Sequence, residues 1–133
     1  MEDQFSQINL VVAWLLTTIG FVSGSLMGLN FKFFDTEWLG GYAGLRRRLF
    51  RLGHIAFIGL ALINFMFYFT VTTMNTTGQS VEAASWAFIV GGATMPLCCF
   101  LLGIYPRMKI LFYIPVLSLL AGGFLTTWEV LVK

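Results

Sequence analysis

Charged side chains are scarce in this chain of 133 residues. Only 11% of its residues are charged, 58% are hydrophobic, and histidine occurs once, at His54. Soluble globular domains average about 25% charged and about 45–50% apolar residues. This composition excludes a water-soluble fold and predicts a membrane protein.

The chain also lacks the residue combinations on which catalysis and metal binding depend. A single histidine cannot supply bis-histidine ligation, and the adjacent Cys98 and Cys99 have neither disulfide-framework nor metal-ligand spacing. The sequence contains no recognisable Ser-His-Asp set, carboxylate pair or phosphate-binding loop. We therefore expect that the protein is not an enzyme.

Four long apolar runs occupy almost the whole chain. A helix that spans a bilayer needs about 20 predominantly apolar residues, and each run meets that length. We predict an all-α integral membrane protein with a single four-helix transmembrane domain over residues 1–133. The predicted helices are residues 8–30, 49–73, 83–105 and 110–132.

Basic residues cluster on one side of the predicted membrane. They follow the first and third helices, whereas the other side carries mainly Glu2, Asp3, Glu82 and Glu129. The positive-inside rule then predicts that both termini face outward, in an N-out/C-out arrangement. The short connections after the second and third helices predict antiparallel neighbours, and so an up-down bundle. We expect a bacterial cytoplasmic (inner) membrane.

The connection after the first helix is longer and rich in aromatic residues. Phe31, Phe33, Phe34 and Trp38 would be poorly accommodated in free solution. We expect this segment to lie on the membrane surface or against a partner.

Small and polar residues indicate where helices approach one another. Gly20, Gly24 and Gly28 recur every four residues, a pattern that allows close contact between helix backbones. The partner helix could belong to this chain or to another subunit. Asn64, inside the second apolar run, is expected to join helices by hydrogen bonds.

His54 is the candidate cofactor ligand, because ionisable residues inside membrane helices often have functional roles. Steps of three and four residues place Arg47, Arg51, Phe57 and Ala61 roughly on its side of the helix. A haem or a chlorophyll-type tetrapyrrole could use His54 as its axial ligand, with both arginines on its carboxylates and the apolar pair against its ring. A quinone contact and a plain interfacial histidine stay open.

The four arginines also fit a purely topological role. Arg46, Arg47 and Arg48 precede the second apolar run, and Arg51 lies at its start. Such clusters orient membrane helices and attract anionic headgroups. We therefore expect anionic lipid as a partner at the cytoplasmic face.

Three classes of function follow from these features. We favour a non-catalytic accessory subunit of a larger membrane complex, of respiratory or photosynthetic type, with other membrane subunits or further copies of itself as partners and no nucleic acid. The alternatives are a tetrapyrrole-binding subunit that uses His54 and a small transporter. Transport is disfavoured because no polar path crosses the apolar runs.

Overall fold

The computed structural model is helical throughout its regular structure and describes residues 2–29, 37, 39–41 and 43–132, with side chains from residue 7 onward. Four α-helices occur in this part of the chain, and no strand does. The aromatic residues Phe31, Phe33, Phe34 and Trp38 lie outside it, so their placement stays a prediction. The elements are α1 (Glu2–Leu29), α2 (Leu45–Met74), α3 (Gln79–Ile104), a 3-10 segment (Pro106–Phe112) and α4 (Tyr113–Val132).

Each of the four predicted helices is present. All four are long and apolar enough to cross a membrane, which suggests an integral membrane protein. The orientation with both termini outside stays a prediction from the distribution of charge. The candidate spans are Gln7–Leu29, Leu45–Met74, Gln79–Ile104 and Pro106–Val132.

The start of α4 differs from the sequence prediction. The α-helix begins at Tyr113, three residues later than expected, and a 3-10 segment precedes it. Pro115 explains this boundary, because it has no N–H and its ring clashes with the carbonyl four residues earlier in a continuous helix. In the first turn of α4 neither property is costly.

Consecutive helices run antiparallel, as their contacts show. Asn9 of α1 meets Asn64 of α2, whereas Gly24, further along α1, lies at His54, earlier in α2. In the same way Ser118 of α4 donates to the Ala87 carbonyl of α3, while Cys98 reaches the carbonyl of Leu111. The alternation brings the start of α2 and the 3-10 segment to one end of the molecule, which we call the basic end.

The four helices of the described residues form an open arrangement, in which α4 does not pack against α1 to close the bundle. Helix α2 packs along both α1 and α3, and α1 has a smaller contact with α3. Helix α4 packs along α3 and has no comparable interface with α1 or α2 within the described residues. The consecutive helices thus alternate in direction as an up-down bundle does, while α1, α2 and α3 form a group and α4 packs mainly against α3.

Two apolar clusters fill the interior. One joins Phe67 of α2 to Val81, Ala84 and Phe88 of α3, with Leu119 of α4 against it. The other lies nearer the basic end and joins Leu16 of α1 to Phe57 and Ala61 of α2, with Phe100 packed against it. Together the clusters connect all four helices along α2 and α3.

Candidate functional site

A buried hydrogen-bonded group, which we call the polar clamp, joins three helices between the two apolar clusters. It consists of Asn9 of α1, Asn64 of α2 and Ser85 of α3, each at most 1% exposed. Asn9 Nδ2 donates to Asn64 Oδ1 at 2.8 Å, and Ser85 Oγ donates to Asn9 Oδ1 at 2.5 Å. One polar residue from each helix thus meets at a single level of the bundle.

Both amides of the polar clamp have acceptors for all their hydrogens. The second hydrogen of Asn9 reaches the Ser85 carbonyl at 3.4 Å. The amide of Asn64 donates to the carbonyls of Leu60 at 2.9 Å and Phe88 at 3.4 Å. Because an unpaired buried amide costs about 1–3 kcal/mol, this closure is what permits three polar side chains in an apolar interior. It leaves neither amide a hydrogen for a substrate.

Sequence reasoning found Asn64 but missed Asn9 and Ser85. Asn9 lies near the start of the first apolar run, and Ser85 resembles an ordinary small helix residue. The available signal was one amide or hydroxyl side chain inside each of three apolar helices, since such groups seek one another in hydrocarbon.

His54 lies at the interface of α1 and α2, near the basic end. Its Nδ1 is 3.1 Å from Ser23 Oγ. The ring covers Gly24 so closely that a Cβ there would lie 2.6 Å from its Cε1 atom. The side chain is half-buried, and α1 provides both a polar partner and a flat surface for it.

The direction of the hydrogen bond between Ser23 and His54 depends on the tautomer of the ring. Ser23 Oγ has one hydrogen and two acceptors within reach, the Gly20 carbonyl at 3.0 Å and His54 Nδ1 at 3.1 Å. When the hydroxyl donates to the carbonyl, Nδ1 of a neutral ring carries the hydrogen and Nε2 has its lone pair. A metal-binding imidazole is held by a neighbour in the same way.

The predicted tetrapyrrole face is occupied by protein. Phe57 is 7% exposed and Ala61 is 3% exposed, and both pack against Leu16 of α1. A porphyrin ring cannot contact these two side chains unless α1 moves away. The apolar surface that was assigned to the tetrapyrrole ring thus forms part of the core.

The four arginines have different surroundings. Arg46 and Arg48 are exposed and Arg51 is half-buried, whereas Arg47 is only 1% exposed. A buried Arg47 cannot extend to a lipid headgroup or to a cofactor carboxylate from this position. The surface role predicted for all four arginines therefore fits Arg46 and Arg48 best.

The three glycines of the α1 row have different surroundings. A Cβ on Gly20 would lie 2.5 Å from Ile58 Cδ1, and Gly24 lies under His54, so both face α2. At Gly28 no atom of the described residues lies within 4 Å of the position that a Cβ would take. Two of the three glycines thus serve contacts inside the chain.

A groove lies between α2 and α4, with Phe88 of α3 among its lining residues. Its volume is about 520 Å³, and its walls are mainly apolar. The hydroxyls of Thr70 and Thr126, which also line it, donate to their own helix carbonyls. Gly123 lines it as well, and no other side chain fills the space where its Cβ would be.

At the end opposite the basic end, Ser80 of α3 donates to the Glu129 carboxylate of α4. Glu129 also borders a cavity of about 10 Å³ together with Thr76 and Thr126. That volume is at the lower limit for one water molecule. Elsewhere in the described residues, no three His, Cys, Asp or Glu side chains converge as a metal site would require.

Comparison of the chain with protein families, with curated proteins and with solved structures finds no match.

Proposed function

We propose that this protein is a non-catalytic subunit of a larger membrane complex. The observation that carries the proposal is the groove between α2 and α4, helices that share no extensive interface among the described residues. The groove has a volume of about 520 Å³ and largely apolar walls. A helix of a partner subunit would pack into it through van der Waals contacts.

Gly123 makes the groove suitable for a helix. Small residues let helix backbones approach closely, which is the main source of attraction between helices in lipid. Gly91 and Gly122 are already covered, by Leu119 and Phe88 respectively, whereas the position of a Cβ on Gly123 is open. The glycine at the groove is thus free for contact with another chain.

The interior polar groups support the same proposal. The amides of the polar clamp satisfy one another and nearby carbonyls, which fits a structural role. A transporter would instead need polar groups that face a path across the membrane. We retain the respiratory or photosynthetic type of complex as part of the proposal.

The test is co-purification of the full-length chain from its native membrane in mild detergent. We expect the wild-type chain in a complex of defined stoichiometry, and we expect Gly123→Leu to lose the partner while its own thermal unfolding stays unchanged. Gly28→Leu is the matched control, because it also adds a side chain in open space but lies away from the groove. A wild-type monomer, or a complex that survives Gly123→Leu, would contradict the proposal.

The same preparation tests the tetrapyrrole alternative. Its absorption spectrum would show a Soret band, lost in His54→Ala, if His54 ligates a haem. A colourless preparation would remove that alternative and leave the proposed subunit role unaffected.

A further inference from the structure

A second groove lies at the basic end, where the 3-10 segment joins α4. Its volume is about 470 Å³, and Lys109, Ile110, Phe112, Tyr113 and Val116 line it. All five come from one continuous stretch of chain. Four of them are exposed, and Phe112 is half-buried. The groove therefore opens on the surface of the protein, at the basic end.

The winding of the chain orders these side chains by polarity. Residues three apart align in a 3-10 helix, so Lys109 and Phe112 are on the same side of the segment. In α4, Val116 is three residues after Tyr113, and Leu120 is four residues after Val116, so the three side chains lie on one face of the helix. The order along this face is a cation, then aromatic rings, then aliphatic side chains.

The length of this face matches one leaflet of a bilayer. From Lys109 to Leu120 the two helix types rise by about 18 Å in total. Half of a hydrocarbon core of roughly 30 Å is about 15 Å. A cation at the headgroup level and an apolar strip one leaflet long are the two features that a phospholipid-binding site needs.

Charge complementarity selects an anionic lipid for this groove. Arg107 is exposed in the same segment. Glu82 and Glu129 lie at the opposite end of the molecule, and the acidic residues on the basic side, Asp35 and Glu37, belong to the connection between α1 and α2 and not to this segment. Tyrosine is favoured at the headgroup level because it joins an apolar ring to a polar hydroxyl, and Tyr113 lies beside Lys109 in the groove.

The geometry points to a binding site for one anionic phospholipid, with its phosphate at Lys109 and an acyl chain along Val116 and Leu120. The site differs from the groove between α2 and α4 and does not depend on a partner subunit. It also differs from the arginines at the start of α2, because it offers an apolar groove beside the cation.

The experiment is native mass spectrometry of the full-length chain in mild detergent, with phosphatidylglycerol and phosphatidylcholine of identical acyl chains. We expect phosphatidylglycerol to bind more tightly. Lys109→Gln should weaken it about fivefold, since each basic residue near a headgroup contributes about that factor. Val116→Trp should weaken it comparably, because the indole fills the groove.

Two matched variants distinguish a site from a diffuse charge effect. Arg48→Gln removes an equal charge from another exposed position at the basic end, and Leu131→Trp adds an indole to an exposed position near the far end of α4. Both should leave the affinity within about twofold of the wild type. If Arg48→Gln weakened binding as much as Lys109→Gln, the groove would not be a site.

Two further outcomes would also overturn the proposal. One is equal binding of the two lipids, and the other is displacement of phosphatidylglycerol by glycerol phosphate, which would show an anion site without an acyl chain. If Val116→Trp fails to fold, Ile110→Trp replaces it, because Ile110 is 73% exposed and also lines the groove. Retained affinity in that variant would contradict the acyl-chain part.

Discussion

At the scale of single residues, the interior of this protein depends on matched polar partners. Asn9, Asn64 and Ser85 are buried and bonded to one another. Each lies in an apolar helix, where an unpaired amide or hydroxyl would be costly. Their hydrogen bonds fix the register of α1, α2 and α3 along one another, because apolar contacts alone allow several registers of similar energy.

We expect Asn64→Leu to lower the free energy of unfolding by about 2 kcal/mol. The substitution removes hydrogen bonds between helices and leaves the Asn9 amide without its acceptor. The double variant Asn9→Leu/Asn64→Leu should cost less than the sum of the two single variants, because it leaves neither amide unpaired. Reversible unfolding in detergent micelles measures all three.

A suitable control is Thr72→Val, which removes an exposed hydroxyl bonded only to the Tyr68 carbonyl of its own helix. It should change stability by no more than about 0.5 kcal/mol. Strict additivity of the two asparagine substitutions would contradict the polar clamp.

At the scale of helices, glycine positions decide how closely the elements approach. Gly53 lies against Phe100 and Cys99, and Gly103 lies against Phe50, so α2 and α3 are close near the basic end. Gly24 has the same function between α1 and α2, where it accommodates the ring of His54. Gly28, four residues later, has no such contact.

Alanine substitutions at Gly24 and Gly28 should therefore have opposite effects. Gly24→Ala places a Cβ 2.6 Å from the His54 ring and should destabilise the protein by about 1–2 kcal/mol. Gly28→Ala meets no atom of the part of the chain that the structure describes, and it should be neutral or stabilise by up to about 1 kcal/mol, because alanine favours a helix. Thermal unfolding in one detergent gives the order, and equal effects would show that the close approach at His54 is absent.

At the scale of the whole molecule, antiparallel packing collects the basic side chains at one end. The start of α2 carries Arg46, Arg48 and Arg51, and the 3-10 segment carries Arg107 and Lys109. The turn between α2 and α3 lies at the other end, where Asn75 adopts a left-handed conformation with φ of 51°. This polarity of charge is the basis for the expected orientation.

Labelling with a membrane-impermeant maleimide tests that orientation. We expect Met108→Cys to react only from the cytoplasmic side and Thr77→Cys only from the opposite side. The wild-type chain is the blank, since the thiols of Cys98 and Cys99 are both buried. Labelling of both positions from one side would contradict a membrane crossing by α3, whereas a simple exchange of sides would contradict only the positive-inside argument.

The four helices of this protein follow from its sequence alone. Runs of about 20 apolar residues can satisfy their backbone polar groups in lipid as helices, so the four elements and their approximate limits follow from composition. Asn64 was recognisable as a polar residue that needs a partner, and the glycine row as a surface for close approach. These are local properties that neighbouring residues along the chain determine.

Which helix surfaces meet depends on the fold. The partners of Asn64 outside its own helix are Asn9 and the Phe88 carbonyl, 55 and 24 residues away in the sequence, and no local pattern specifies those distances. The same holds for Phe57 and Ala61, which pack against α1 and so are lost to the predicted tetrapyrrole face. Every face of a membrane helix is apolar, so hydrophobicity does not distinguish core from lipid contact, and close packing with paired hydrogen bonds does.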